Sequence, residues 1–77
     1  MRLTKTGKRY ITEFILSYAR RRQSLDAWFS QAEEFIGNLK PGESGVVLEI
    51  RSFESIDGHA HDLVVPESMF KRHRSEK

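Results

Sequence analysis

Residues Ser24 to Leu39 read SLDAWFSQAEEFIGNL. Their apolar members, Leu25, Trp28, Phe29, Ala32, Phe35, Ile36 and Leu39, recur at the spacing of one helical face. At about 100° per residue these seven side chains cover an arc of roughly 120°, and Asp26, Ser30, Glu33, Glu34 and Asn38 fill the rest. A helix with such a stripe has to bury it, so the remainder of the chain must supply a covering surface. Ser24 is placed to cap the helix, Asp26 to meet its dipole, and Pro41-Gly42 to end the segment soon after Leu39.

Upstream, Tyr10, Ile11, Phe14, Ile15 and Tyr18 form a second stripe of the same period. It predicts a helix that begins between Thr6 and Lys8 and ends near Arg20, with residues 1–5 as a flexible lead. Leu16 falls off this stripe, between Arg9, Glu13 and Arg20, and is a candidate contact point. The few residues from Arg20 to Gln23 imply an antiparallel or steeply crossed helix pair.

Downstream of Gly42 the period changes from 3.6 to 2. Val46, Leu48 and Ile50 alternate with Val47, Glu49 and Arg51, and Asp57-Gly58 is a two-residue hairpin signal. Centring a hairpin there sets Ile56 opposite His59, Phe53 opposite Asp62, Arg51 opposite Val64 and Ile50 opposite Val65. Val46, Leu48, Ile50, Leu63 and Val65 then share the face that meets the helices, and Val47, Phe53 and Val64 lie on the other. Pro66 reads as the first position of a short helix, PESMFKRHR, and residues 75–77 as a frayed tail. The fold class expected is α+β: an antiparallel helix pair packed on a two-stranded β-hairpin with a short C-terminal helix, in one domain spanning residues 1–77.

A chain of 77 residues without cysteine builds a small core that neither disulfides nor thiolate metal sites can reinforce. Dimerisation, with a second copy extending the sheet, is the expected reinforcement. No apolar run is long enough for a membrane span, and the first residues lack the apolar centre of a secretory signal, so a cytoplasmic location without membrane contact is expected. Net charge is only +2 but strongly segregated. Residues 1–23 hold seven basic groups and one acid, residues 24–69 two and nine, and residues 70–77 four and one.

Chemistry-bearing patterns are sparse. There is no nucleophile elbow, no glycine-rich phosphate loop with its lysine, and Glu33 and Glu34 point about 100° apart, which excludes a carboxylate pair; no enzyme is expected. His59 and His61, near Asp62, are weak candidates for metal ligands, too few for a closed site, and no cofactor is implied. The expected function is a non-enzymatic regulator or stoichiometric inhibitor that occludes a surface of a partner protein through Leu16, Arg51, Phe53 and Val64. The alternative is a nucleic-acid-binding regulator using Arg20, Arg21, Arg22, Lys71, Arg72 and Arg74. Asp26, Glu33 and Glu34 on the second helix oppose reading of a major groove by that helix.

Overall fold

The computed structural model describes residues 1–21 and 25–71. It is a small α+β fold of two helices and four short strands: β1 (Arg2–Leu3), α1 (Lys5–Tyr18), α2 (Leu25–Gly37), β2 (Gly45–Ile50), β3 (His61–Pro66) and β4 (Phe70–Lys71). Two 3₁₀ turns, Ser52–Glu54 and Glu67–Met69, follow β2 and β3 respectively. Two antiparallel pairs form, β2 with β3 and β1 with β4. The caps expected at Ser24 and the basic residues Arg22, Arg72 and Arg74 lie outside the described residues, as does the tail at 75–77.

The beginning of the chain corrects the sequence reading. Arg2 and Leu3 are not a loose lead; they pair with Lys71 and Phe70. Thr4 then caps α1, its Oγ1 accepting from the Gly7 N–H at 2.9 Å and donating to the Met69 carbonyl at 3.1 Å. Gly7 sits inside the first turn because the 67–69 segment crosses directly over it. A Cβ there would lie 2.7 Å from the Met69 oxygen. The expected C-terminal helix is replaced by the second 3₁₀ turn and β4. Pairing with β1 buries Phe70 and Leu3 to 5% exposure each, whereas a helix from Pro66 had only Met69 and Phe70 to anchor it.

The hairpin is real, but its register differs from the one centred on Asp57-Gly58. Val46 pairs with Val65, Val47 with Val64, Glu49 with Asp62 and Ile50 with His61, a slip of four residues. Because side chains alternate with a period of two, an even slip leaves every residue on its expected face. Val46, Leu48, Ile50 and Val65 are buried, while Val47, Glu49, Asp62 and Val64 point outward. Phe53 leaves the sheet altogether and rides on the first 3₁₀ turn.

The core joins Ile11, Phe14 and Ile15 of α1, Ala32 and Ile36 of α2, the inner face of the hairpin, and Leu3, Ala19 and Phe70. Both helical stripes are wider than what covers them. Tyr10, Tyr18 and Phe35 remain about two-fifths exposed, and Leu25, Trp28, Phe29 and Leu39 are half-buried. The cause is dimensional: strands lie about 4.8 Å apart, so two of them cannot span two helices each about 10 Å across.

Candidate docking site at the helix exit and the 52–56 arch

Residues 51–60 do not close the tight turn expected of them, because they bond to the end of α1 instead. Ala19 turns extended (φ −79°, ψ 132°) and forms a bridge with Ser55. On either side of that bridge the Arg20 N–H donates to the Glu54 carbonyl at 2.7 Å and the Ile56 N–H to the Tyr18 carbonyl at 2.8 Å. Ser55, 3% exposed, is the one buried polar residue among those described, and its single hydroxyl proton is shared between two acceptors, the Ser52 carbonyl at 3.2 Å and Asp57 Oδ1 at 3.1 Å. Asp57 also accepts from the His59 N–H at 3.0 Å, and Gly58 supplies the positive φ of 78°. Residues 52–56 are thereby held as an arch against the helix exit.

What the arch carries outward is apolar. Phe53 and Ile56 are 66% and 60% exposed, the two most exposed large apolar side chains among the described residues. Beneath Phe53 a cleft of about 480 Å³ opens between the arch and α2, lined by Ala19, Arg20, Arg21, Trp28, Ile50, Phe53 and Glu54. Its volume falls within the range of sites that hold a ligand or a small anchor. Ala19 and Ile50 are core residues, so its floor is apolar, and Trp28 is half-buried in its wall. Arg20 and Arg21 are exposed, and no described carboxylate lies within ion-pair distance of either.

Residues proposed from sequence as two rival sets therefore meet: Phe53 of the protein-binding set and Arg20 and Arg21 of the nucleic-acid set line the same cleft. Trp28, assigned to the core by its spacing, is a wall residue that the sequence reading missed. Its position at the edge of the stripe was the available signal. Leu16 is exposed at 43% on α1, and Arg51 is exposed just before the arch. Val64, 54% exposed, pairs across the hairpin with Val47 rather than Arg51, on the outer face of the sheet.

Lys71 lines a different cleft, of about 360 Å³, with Arg2, Leu3, Lys8, Asp26, Phe29, Ser30 and Glu33. There the basic start and end of the chain meet the acids of α2. Glu33 accepts the Leu3 N–H at 2.8 Å, and the Lys8 ammonium sits 5.7 Å from the centre of the Phe29 ring. The charge segregated along the sequence is thus partly balanced within the fold.

His59 is exposed ahead of β3, and the His61 Nε2 is engaged by Asp57. Among the described residues no group of three or more His, Asp or Glu side chains is placed to hold a metal ion. Nor is any described helix long and apolar enough to cross a membrane.

The class defined is a small α+β domain with an ordered apolar arch beside a cationic cleft. Comparison of the chain with protein-family models, with curated proteins and with solved structures finds no match.

Proposed function

We propose that this is a non-enzymatic cytoplasmic binding protein that acts as a regulator or stoichiometric inhibitor by occluding a surface of a partner protein. The observation that carries this reading is the arch. Phe53 and Ile56 project into solvent from a segment fixed by backbone hydrogen bonds on both sides of a bridge to α1. Apolar side chains so exposed on an immobilised segment favour association, because little ordering entropy is lost when they are covered.

Direct nucleic-acid binding is the rival reading, supported by two arginines beside Trp28 and Phe53, a pairing suited to phosphate and base stacking. Against it, Lys71 belongs to the other cleft, among Asp26 and Glu33, and so does not join Arg20 and Arg21 in one track. Capture from a lysate with and without nuclease separates the two. A retained partner that is lost on Phe53→Glu, Leu16→Glu or Val64→Glu supports protein binding. Capture that vanishes with nuclease overturns it.

The proposal includes a homodimer. Among the described strands, β2 and β3 each pair on one side only, which leaves an edge on each for a second copy. Light scattering at micromolar concentration is expected to give twice the chain mass, and a well-folded monomer would remove this part of the reading.

A further inference from the structure

We infer that the cleft lined by Arg20, Arg21, Trp28 and Phe53 receives an acidic segment of a partner protein that inserts one bulky apolar side chain. This inference rests on the protein-binding reading and names the partner's chemistry. Three features of the cleft set that chemistry. Its floor, at Ala19 and Ile50, is part of the hydrophobic core, so the inserted group must be apolar to gain from leaving water. Trp28 and Phe53 stand at its wall and lip, a combination that favours an aromatic or branched side chain. Arg20 and Arg21 are exposed beside it and unmatched by any described carboxylate, so they complement acids flanking that side chain.

A nucleic-acid strand fits these features less well. Repeated phosphates need a continuous basic track, whereas here two arginines share the lining with Glu54, and Arg2, Lys8 and Lys71 line the second cleft instead. One apolar anchor whose acidic neighbours lie toward Arg20 and Arg21 and away from Glu54 uses the apolar floor, the aromatic wall and both arginines.

Trp28 is the only tryptophan in the chain, so its emission reports occupancy directly. The probe is a fluorescein-labelled peptide, acetyl-DDEFEDD, titrated into the full chain and followed by anisotropy; the unlabelled peptide is used to follow Trp28 fluorescence. Comparison peptides carry alanine for the central phenylalanine or lysine for every acid, and an oligothymidylate of similar length serves as the nucleic-acid arm. Saturable binding of the acidic phenylalanine peptide with a change in Trp28 emission is expected. Either peptide change, the double variant Arg20→Gln/Arg21→Gln, or Phe53→Ser should weaken it by about tenfold or more, and Lys71→Gln should leave it unaltered.

The substituted side chains are exposed, and circular dichroism matched to the unaltered chain shows that a loss arises at the cleft. Absence of binding at millimolar peptide, equal binding of the lysine peptide, or tighter and steeply salt-dependent binding of the oligothymidylate overturns the inference. If the peptide is ignored while a nuclease-resistant partner is still captured and is lost on Leu16→Glu or Val64→Glu, the cleft assignment fails and protein binding stands. If capture fails as well, both fall.

Discussion

The Nε2 of His61 lies 3.0 and 2.9 Å from the two carboxylate oxygens of Asp57, four residues earlier, and the same imidazole stacks on Tyr18 with 4.1 Å between ring centres. An ionised carboxylate only accepts, so Nε2 carries the proton in this pair. Through Tyr18 the pair touches α1, and through Asp57 it touches Ser55. It therefore clasps the far side of the arch that carries Phe53.

The clasp makes the arch sensitive to acid. The His61 hydrogen bond first, and the His59 N–H second, draw the Asp57 carboxyl down from 3.8 to about 2. A carboxyl whose value is lowered by folding stabilises the fold above its ordinary range, and that contribution fades as pH falls from about 4 toward about 2. Hydrogen exchange at the Arg20 and Ile56 amides, which anchor the arch, should accelerate across that window relative to amides of β2. In Asp57→Asn the same amides should exchange faster at neutral pH, with little further acceleration on acidification. Equal exchange in the two proteins at pH 6 would show that the pair does not hold the arch.

Glycine substitutions should separate close approach from open space. Gly7→Ala places a methyl group 2.7 Å from the Met69 oxygen and 2.9 Å from Leu3 Cδ2, and Gly45→Ala one 2.7 Å from the Val65 oxygen. Each is expected to cost about 1–3 kcal/mol, since backbone must move to make room. Gly37, in the last turn of α2, has nothing within 4 Å of such a methyl. Gly37→Ala should gain about 0.4–1 kcal/mol by reducing the freedom of the unfolded chain. Urea unfolding midpoints give the order directly.

On the outer face of the hairpin Glu49 stands opposite Asp62, two carboxylates paired across the strands beside the exposed pair Val47 and Val64. Like charges at directly opposed positions destabilise a sheet. Glu49→Lys replaces the repulsion with an attraction and should raise stability by about 0.2–1 kcal/mol, an effect that shrinks in high salt. Thermal unfolding at two ionic strengths tests this, and a gain unaffected by salt would mean that lysine acts through packing.

Both helices and the inner face of the hairpin were legible because they rest on periodicity, and periodicity survived even a four-residue slip in register. Asp57-Gly58 misled because its local turn chemistry is satisfied differently. Asp57 accepts from His59 and His61, and Gly58 takes its positive φ within a longer loop whose backbone is claimed by Tyr18 and Arg20. That claim couples residues far apart in sequence, which no local pattern records. The pair β1–β4 was invisible for a related reason, since two-residue strands from opposite ends of the chain carry no period. For the candidate site, Phe53, Arg20 and Arg21 were each marked by exposure or charge, but their meeting in one cleft with Trp28 depends on the same bridge.

Glu33 falls outside the apolar stripe of the second helix, yet its Oε2 accepts the Leu3 N–H at 2.8 Å and so fastens β1, and through it β4, to α2. A hydrogen bond between a charged group and a partly buried backbone donor contributes about 1.5–3 kcal/mol. Glu33→Ala should lose a comparable amount, and Glu33→Gln, which keeps an oxygen acceptor, distinctly less. The loss should be local before it is global. Amides of Leu3 and Thr4, the latter bonded to the Met69 carbonyl, should open to exchange at denaturant concentrations where β2 and β3 remain protected. Because the arch is anchored to the exit of α1, Phe53→Ser should leave those two amides unchanged. If both substitutions loosen both ends alike, the two clefts belong to one cooperative unit, and a partner bound at Arg20 and Arg21 would be sensed at Lys71.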